Sequence, residues 1–352
     1  MSPGVAEGAA APAGGLRAVL AAIDAARAAG RRIALAVVAQ CEGSTYRKPG
    51  ALVAVDASGR ASGTLSGGCL EPELQRIAAE VLATDGARAL DFDTRGDDDL
   101  VFGSGSGCRG RMRVVVLPID PQRDAELSQA LGALARRDGV LPAAVVHEGP
   151  HAGAMQLRDR AQAIGRAPAE LAPLLAGIAA GRVREVALAR GGTVDRAQVL
   201  HLCPPPRLLL LGAGPEAPPL ARIAREIGWR VDAGDHRPAL LDRARLPADA
   251  LHPGRPAAVL AALADARLDA VVVMTHGASA DLEALRALAQ HPVAHVALLG
   301  PPARRDELLA AIDPAARAAL LPRLQAPAGL ALGGEGPEAI ALSIAAGLPH
   351  RR

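Results

Sequence analysis

Apolar and polar positions change their period several times along the first part of the chain. Apolar residues recur at helical spacing from Leu16 to Ile23, which predicts an amphipathic helix over residues 16–29 that Gly30 ends. A continuous apolar run at 33–39 is typical of a strand buried on both faces. The same patterns predict further strands at 52–55 and 113–117 and a helix at 72–83.

The pattern becomes regular again from Arg207 onward, where short apolar runs alternate with amphipathic stretches. Alternating strands and helices imply parallel pairing, so we predict a Rossmann-like, doubly wound parallel sheet over residues 207–348. The predicted strands are 207–211, 229–234, 269–274 and 293–299, and the predicted helices begin near 220, 281 and 303.

Between these two patterns the chain is less regular. A helix is predicted at 124–136 and strands at 143–147 and 183–189, before three consecutive prolines at 204–206 that suggest a linker. The chain has 352 residues, and about 150 residues per domain is usual. We therefore predict an α/β chain with a disordered tail (1–15), an N-terminal α/β domain (16–118), a middle segment with linker (119–206) and the Rossmann-like domain (207–348).

Composition narrows the class of protein. A net charge of +2 and an aromatic content of 1% argue against a nucleic-acid partner, which needs a basic surface or stacking side chains. The sequence contains no apolar run of about 18 residues, and its start lacks the pattern of a signal peptide. We expect a cytoplasmic protein without membrane contact, in which the four cysteines remain thiols.

A dinucleotide fingerprint lies at the start of the Rossmann-like pattern. Gly212, Gly214 and Ala217 fit G-x-G-x-x-A between a predicted strand and helix, and Asp235 follows about 20 residues later. The glycines would let the backbone approach a pyrophosphate at a helix start with free N–H groups, and Asp235 would bind ribose hydroxyls. His276, at the end of a later strand, would contact phosphate or move a proton. The alternatives are that these glycines only shape a turn and that His276 only caps the end of its strand.

Two glycine-rich loops carry cysteines. Glycine is costly to order, so its density before a cysteine suggests close approach by a large group. A thiolate is a soft ligand, suited to molybdenum or to sulfur transfer. The alternative for each cysteine is a small buried apolar residue. The candidate residues are Gly67, Gly68 and Cys69 in the first loop and Gly105, Gly107 and Cys108 in the second.

Polar residues beside these loops are candidates for binding an anion. Ser44, Arg47 and Lys48 lie in a loop that ends in Pro-Gly, and Arg109 follows Cys108. Arginine and lysine on such loops bind phosphate or carboxylate groups. A solvated loop is the alternative.

Together these segments resemble the XdhC/CoxI family of molybdoenzyme accessory factors. The resemblance covers nearly the whole chain except the tail and the middle segment. In two places the chain departs from the family pattern, which often has Asp where Ala331 stands and an Ala-Glu pair where Ala345 and Ala346 stand. The matching segments are 42–50, 66–71 and 102–110, followed by 212–216, 228–231, 235–238, 275–276, 298–301, 326–330 and 336–344.

The resemblance implies a protein that binds the molybdenum cofactor (molybdopterin), presents it for sulfuration by a cysteine desulfurase and delivers it to an apo-molybdenum hydroxylase. It places the family's cofactor-linked cysteines on Cys108, facing the molybdenum, and on Cys69. The Rossmann-like domain would bind NAD(P), another nucleotide or the phosphate end of the cofactor. We also expect a homo-oligomer.

Two other functions fit parts of the sequence. An NAD(P)-dependent oxidoreductase would use the Gly212 turn, with His276 as the one candidate beside the hydride site. A thiol redox or sulfur-transfer enzyme would pair Cys69 with Cys108, whose separation in sequence excludes a CxxC mechanism but not a spatial pair.

Overall fold

The computed structural model describes residues 15–93, 110–176, 183–190 and 192–349. The chain divides into two compact units, Met1–Pro204 and Pro205–Arg352. The structure thus groups residues 119–204 with the N-terminal residues, whereas the sequence pattern set 119–206 apart as a separate segment.

The first unit contains two antiparallel five-stranded sheets, with strand orders β3-β2-β1-β5-β4 and β8-β7-β6-β10-β9. The helices of this unit are α1 (Leu16–Ala28), α2 (Glu71–Thr84), α3 (Ala125–Ala133) and α4 (Leu171–Ala176). The strands of the first sheet are β1 (Ile33–Gly43), β2 (Leu52–Asp56), β3 (Ala61–Ser62), β4 (Arg88–Asp93) and β5 (Gly110–Ile119). Those of the second sheet are β6 (Leu141–Glu148), β7 (Met155–Asp159), β8 (Gln162–Arg166), β9 (Arg184–Arg190) and β10 (Thr193–Leu202).

The apolar run of strand β1 has both of its faces buried. Leu35 and Val37 join the core that includes α1 and α3, while Ala36 and Val38 join the core beneath α2. Successive side chains of a strand point to opposite faces, so a strand segment between two cores has no polar position.

One shared core explains why residues 119–204 belong to the first unit. Leu35 of β1, Leu131 of α3, Val145 of β6 and Leu200 of β10 are fully buried in the same apolar cluster. The two sheets therefore bury apolar faces together, and we expect neither sheet to be stable alone.

The pairing of β1 with β5 carries residues of interest to one end of the first sheet. The register shifts between Val38 and Gln40, and pairing then continues to Gly43 opposite Gly110. A bulge of this kind bends a strand and redirects the residues beyond it. The end of β1 and the start of β5 thereby meet beside the loop that follows β1.

The second unit is a six-stranded parallel sheet of order β13-β12-β11-β14-β15-β16, the Rossmann order. The predicted α/β class with a C-terminal Rossmann-like sheet is confirmed. Its strands are β11 (Arg207–Leu211), β12 (Arg230–Asp235), β13 (Ala250–Pro253), β14 (Ala270–Val273), β15 (Val296–Leu298) and β16 (Leu324–Gln325). Its helices are α5 (Ala217–Glu226), α6 (Pro256–Ala262), α7 (Ala278–Ala289), α8 (Pro302–Ala310), α9 (Pro314–Leu320) and α10 (Pro337–Ala346).

Helices cover both faces of this parallel sheet. Leu208 and Leu210 of β11 join the cluster that includes α5 and α10, and Leu209 and Leu211 join the cluster that includes α6 and α7. This arrangement leaves the carboxyl ends of the strands as the open edge where ligands of such sheets bind. Within the described ranges, no helix has both the length and the apolar character that crossing a membrane requires.

Candidate functional site

Loops at one end of the first sheet bring several predicted contact residues together. Arg47 Nε donates to the backbone oxygen of Thr64 at 2.8 Å, which joins the loop after β1 to the first glycine-rich loop. Gly110 packs against the same loop after β1: a Cβ at Gly110 would lie 2.4 Å from the backbone oxygen of Ser44. We call residues 42–48, residues 63–70 and Gly110 the loop cluster.

The Glu71 carboxylate, at the start of α2, organises the first glycine-rich loop. Its Oε1 accepts hydrogen bonds from the Thr64 hydroxyl (2.5 Å) and the Leu65 and Ser66 amides (3.1 and 2.9 Å). Its Oε2 accepts one from the Ser66 hydroxyl at 2.5 Å. The Ser66 hydroxyl oxygen in turn accepts bonds from the amides of residues 68 and 70. One carboxylate therefore fixes the conformation on both sides of Gly67 and Gly68.

These hydrogen bonds determine the ionisation of Glu71. Burial alone would raise the pKa of Glu71, but donors from Ser66 and Thr64 outweigh it and lower the pKa from 4.5 to about 2. Hydrogen bonds to the charged form of a carboxylate favour that form. Glu71 is therefore ionised at neutral pH, and the loop is built around a fixed negative charge.

The exposed tip of the loop leaves open space above its glycines. Gly67 and Gly68 are exposed, and a Cβ at either position would have no heavy atom within 4 Å. Gly68 has a left-handed φ of 125°, which accounts for glycine there, but Gly67 does not have a left-handed φ. Nothing in the described part of the chain requires glycine at position 67, which fits close approach by a group from outside.

The loop after β1 presents polar side chains beside this tip. Ser44 and Lys48 are exposed, and Lys48 Nζ lies 3.5 Å from the Thr45 hydroxyl. Arg47 is half-buried, and its guanidinium stands over the ring of Tyr46 with its central carbon 5.5 Å from the centroid. Arg47 thus partly serves to connect the two loops, whereas the exposed Ser44 and Lys48 side chains can reach a ligand.

The described cysteines differ in their surroundings. Cys69 is half-buried in the loop cluster, and Cys203 is exposed. Cys41 donates to the backbone oxygen of Arg47 at 3.3 Å. Burial raises the pKa of Cys41, against a hydrogen bond with Thr45 and the charge of Lys48 that lower it. The Cys41 thiol therefore serves the loop's structure rather than nucleophilic chemistry.

The second glycine-rich loop lies outside the described residues, with the predicted contacts Gly105, Gly107, Cys108 and Arg109. The hypotheses that concern Cys108, including its pairing with Cys69, stay predictions. Among the residues that the structure describes, no group of three or more His, Cys, Asp or Glu side chains could hold a metal ion.

The fingerprint turn of the second unit has the geometry that its glycines predict. A Cβ at Gly212, whose φ is 118°, would lie 2.2 Å from the backbone oxygen of Met274. A Cβ at Gly214 would lie 2.9 Å from His276 Nε2. Gly212 is therefore required by a backbone contact with the loop that follows β14, whereas Gly214 is crowded only by the His276 side chain of that loop.

The start of α5 corrects one expectation. We expected free N–H groups there, but Pro218 and Pro219 have none. The amide of Ala217 donates to Gly214 (3.0 Å) and that of Leu220 to Glu216 (3.1 Å). The first turn of α5 therefore offers no free N–H to a pyrophosphate, because proline and local hydrogen bonds account for all four positions.

Asp235 ends β12 as predicted, but its carboxylate is bound by the protein. Oδ1 accepts from the Arg237 amide (2.8 Å) and Nε (2.9 Å), and Oδ2 from the Ala213 amide (2.8 Å) and Arg237 Nη2 (2.8 Å). Burial alone would raise the pKa of Asp235, but these donors, led by the Arg237 side chain, lower it to about 2. A carboxylate has about four lone-pair positions, so ribose binding by Asp235 stays a prediction that requires Arg237 to move.

A residue that the sequence reasoning missed lies in this turn. The Glu216 side chain is 10% exposed, and its Oε2 lies 2.9 Å from His276 Nε2. His276 therefore contacts an acidic side chain rather than a free helix end. The signal in the sequence was the run of prolines around position 216, which removes the N–H groups that a phosphate site needs.

Comparisons with known proteins agree with this arrangement of two units. Residues 26–93 match the family described as "XdhC and CoxI family", and residues 208–348 match "XdhC Rossmann domain". The two matched ranges contain the loop after β1, the first glycine-rich loop and the whole fingerprint turn.

Similarity also extends along nearly the whole chain. A protein of Bacillus subtilis (strain 168) that is named as a probable xanthine dehydrogenase component is 30% identical over 323 residues, 90% of this chain and 92% of that protein. A crystal structure described as a xanthine dehydrogenase from Bacillus halodurans has a TM-score of 0.71 and 26% identity, and the match covers 94% of each chain.

Proposed function

The chain belongs to the XdhC/CoxI family, and on that premise we propose that it is an accessory factor for a molybdenum hydroxylase. It binds the molybdenum cofactor, assists its sulfuration, and inserts it into a xanthine dehydrogenase- or CO dehydrogenase-type enzyme. The observation that carries this proposal is the loop cluster. In it, a hydrogen-bonded loop with exposed glycines and a cysteine lies beside exposed polar side chains.

The loop cluster has the chemistry that this cargo needs. Glu71 fixes the backbone around Gly67 and Gly68, so a ligand meets a surface that is already ordered. Pre-ordering lowers the entropy that binding costs. Lys48 and Ser44 supply a charge and a hydroxyl for an anionic group such as a phosphate.

Thiolates complete the proposed site. Cys108 is the ligand that faces molybdenum, because a thiolate is soft and matches this metal. It precedes Gly110 by two residues in the sequence, and Gly110 packs on Ser44. Cys69 is a second thiol of the same cluster, and Arg109 and Arg47 are further anion contacts. The cargo carries the redox chemistry of the client, and this chain holds and presents it.

The partners of the proposed function follow from the cargo. An apo-hydroxylase receives the cofactor, and a cysteine desulfurase supplies sulfur to it. We place these steps in the cytoplasm and propose that the chain works as a homo-oligomer. The fold of the Rossmann-like domain is compatible with a nucleotide, but the first turn of α5 gives no support to an NAD(P)-dependent oxidoreductase.

Gly67→Ala tests the loop cluster as the binding surface. A methyl group there meets no heavy atom within 4 Å, so the free energy of unfolding should change by less than about 0.5 kcal/mol. A bound cofactor would meet that methyl group, and we expect at least a tenfold loss of affinity, or about 1.4 kcal/mol. The loss of affinity is measured as the amounts of molybdenum and pterin that the variant and the wild type retain after gel filtration.

Gly139→Ala is the matched control. Gly139 is also exposed in the first unit, it has no left-handed φ, and a methyl group added there would have no heavy atom within 4 Å. This variant should bind the cofactor like the wild type. Equal binding by both variants and the wild type would contradict the assignment of the cofactor to the tip of this loop.

A further inference from the structure

The carboxyl ends of β11 and β14 form the crevice of the second unit. These two strands are the central neighbours at which the strand order reverses. Open parallel sheets bind ligands in that crevice. The Gly212 turn follows β11, and Thr275 and His276 follow β14, so their side chains and backbone define what can bind there.

We propose that this crevice binds the N–H edge of a 2-amino-4-oxopyrimidine ring, which guanine and pterins share, through the carboxylate of Glu216. A pyrophosphate is not the group that this turn recognises. The pterin form of this ligand rests on the proposed function, whereas the guanine form does not.

The first turn of α5 lacks the free backbone donors of the usual phosphate contact. Four first-turn positions, 217–220, have two prolines and two amides already bonded within the turn. Pro215 removes a further N–H just before them. A helix start binds phosphate through free N–H groups, and none of these positions has one.

Glu216 has unused acceptor capacity. Its side chain is nine-tenths buried and its Oε2 contacts His276, while Oε1 has no hydrogen-bond partner among the described residues. Three of its four lone-pair positions therefore remain for a ligand. A carboxylate is matched best by two parallel N–H donors, the pattern that a 2-amino-4-oxopyrimidine edge presents.

The charges around the crevice also favour an uncharged N–H donor over a pyrophosphate. Asp235 is paired with Arg237 at 2.8 Å, and Asp281 with Arg304 at 2.6 Å, so neither pair contributes net charge. Glu216 is left with an imidazole as its partner. The Glu216–His276 pair is negative with a neutral imidazole and uncharged with a protonated one. Neither state attracts a pyrophosphate, and both accept an uncharged N–H donor.

His276 is held against the turn by a fixed loop. Its φ of 61° is left-handed, which costs free energy for a residue with a side chain. The amide of Gly277 donates to the Thr275 hydroxyl at 3.1 Å, across His276, and that hydroxyl donates to buried Asp281 at 2.6 Å. Strain that the surroundings maintain is typical of binding sites. Here it sets the imidazole on Glu216 and so orients the carboxylate.

Binding of guanosine, inosine and pterin to the full-length chain, measured by isothermal titration calorimetry, tests the proposal. Inosine lacks the 2-amino group, so it should bind at least about tenfold more weakly than guanosine, the loss expected for one hydrogen bond to a charged group. Tighter binding of pterin than of guanosine would assign the site to a pterin, and the reverse would assign it to a guanine nucleotide. NAD⁺ and pyrophosphate should not compete.

Variants locate the contact. Glu216→Gln should remove the preference for guanosine over inosine, and Glu226→Gln, the same change at the exposed far end of α5, should preserve it. Cys108→Ala should also preserve it, which separates this proposal from the role of Cys108. Equal binding of guanosine and inosine by the wild type, no binding of guanosine or pterin, or competition by pyrophosphate would each overturn the proposal, and none of these requires a variant that folds.

Discussion

Glu71→Gln should release the first glycine-rich loop and destabilise the first unit by about 2–3 kcal/mol. The glutamine side chain keeps one acceptor oxygen, but it places an N–H₂ group where the Ser66 hydroxyl now donates. That hydroxyl oxygen already accepts from the amides of residues 68 and 70, so it cannot compensate by accepting another donor. The loop would lose its fixed backbone conformation and, with it, most of its affinity for the cofactor.

Hydrogen exchange measures this loss locally. The amides of residues 65, 66, 68 and 70 depend directly or indirectly on Glu71, so a peptide covering 63–72 should exchange faster in the variant. Glu73→Gln is the control, because Glu73 lies on the same helix and makes an exposed pair with Arg76. Unchanged protection in Glu71→Gln would contradict the role of this carboxylate.

The effect of Glu71 depends on pH in a direction that its pKa fixes. The pKa of Glu71 is about 2 in the folded chain and 4.5 as an ordinary glutamate. Its contribution to stability is therefore complete above pH 4.5 and is lost as the pH falls through about 2. The difference in unfolding free energy between wild type and Glu71→Gln should shrink over this range, and a constant difference would contradict the account.

Asp232→Ala should destabilise the second unit by about 3–5 kcal/mol, because removing one partner of a buried ion pair leaves the other charge uncompensated. Asp232 is fully buried in the parallel sheet, and its Oδ2 accepts from Arg207 Nη2 at 2.6 Å. His252 Nε2 lies 3.0 Å from the same oxygen. The pairs connect three adjacent strands, β11, β12 and β13.

Fluorescence of Trp229 reports this unfolding. It is the only tryptophan of the chain, and it is 1% exposed in the core of the second unit. Asp265→Ala, at an exposed position of the same unit, should change the free energy of unfolding by less than about 0.5 kcal/mol. Replacing both partners, as Arg207→Met with Asp232→Leu, should recover much of the loss. Equal free energies of unfolding for Asp232→Ala and Asp265→Ala would show that the buried ion pair does not stabilise the second unit.

The elements that sequence predicted are those with strong local patterns. The helix at 16–29 and the strand at 33–39 appear as Leu16–Ala28 and Ile33–Gly43. Strand β10, Thr193–Leu202, was not predicted because charged and polar residues interrupt its apolar positions. Its stability comes from pairing with β9, the strand just before it, and with β6, which lies far from it in the sequence. The shared core of the first unit is a consequence of such non-local pairing, and no local period reveals it.

In the candidate site, too, the local features were predictable from the sequence and the contacts between distant residues were not. The positions of Gly212, Gly214 and Asp235 followed from the fingerprint, because a strand, a turn and a helix are fixed by local sequence. The hydrogen-bond partners of Asp235 and the Glu216–His276 contact did not, because they depend on which side chains meet across the sheet. Glu71 was overlooked for a similar reason: its role is visible only once the loop folds back over the start of α2.

The most direct test of the proposed function is the molybdenum and pterin content of the purified chain after incubation with free molybdenum cofactor, for wild type and Cys108→Ala. Cys203→Ala, a change of the same type at an exposed position, is the control. We predict one molybdenum and one pterin bound per chain in the wild type and the control, and loss of the molybdenum in Cys108→Ala. A folded wild-type chain that retains neither molybdenum nor pterin would contradict the account.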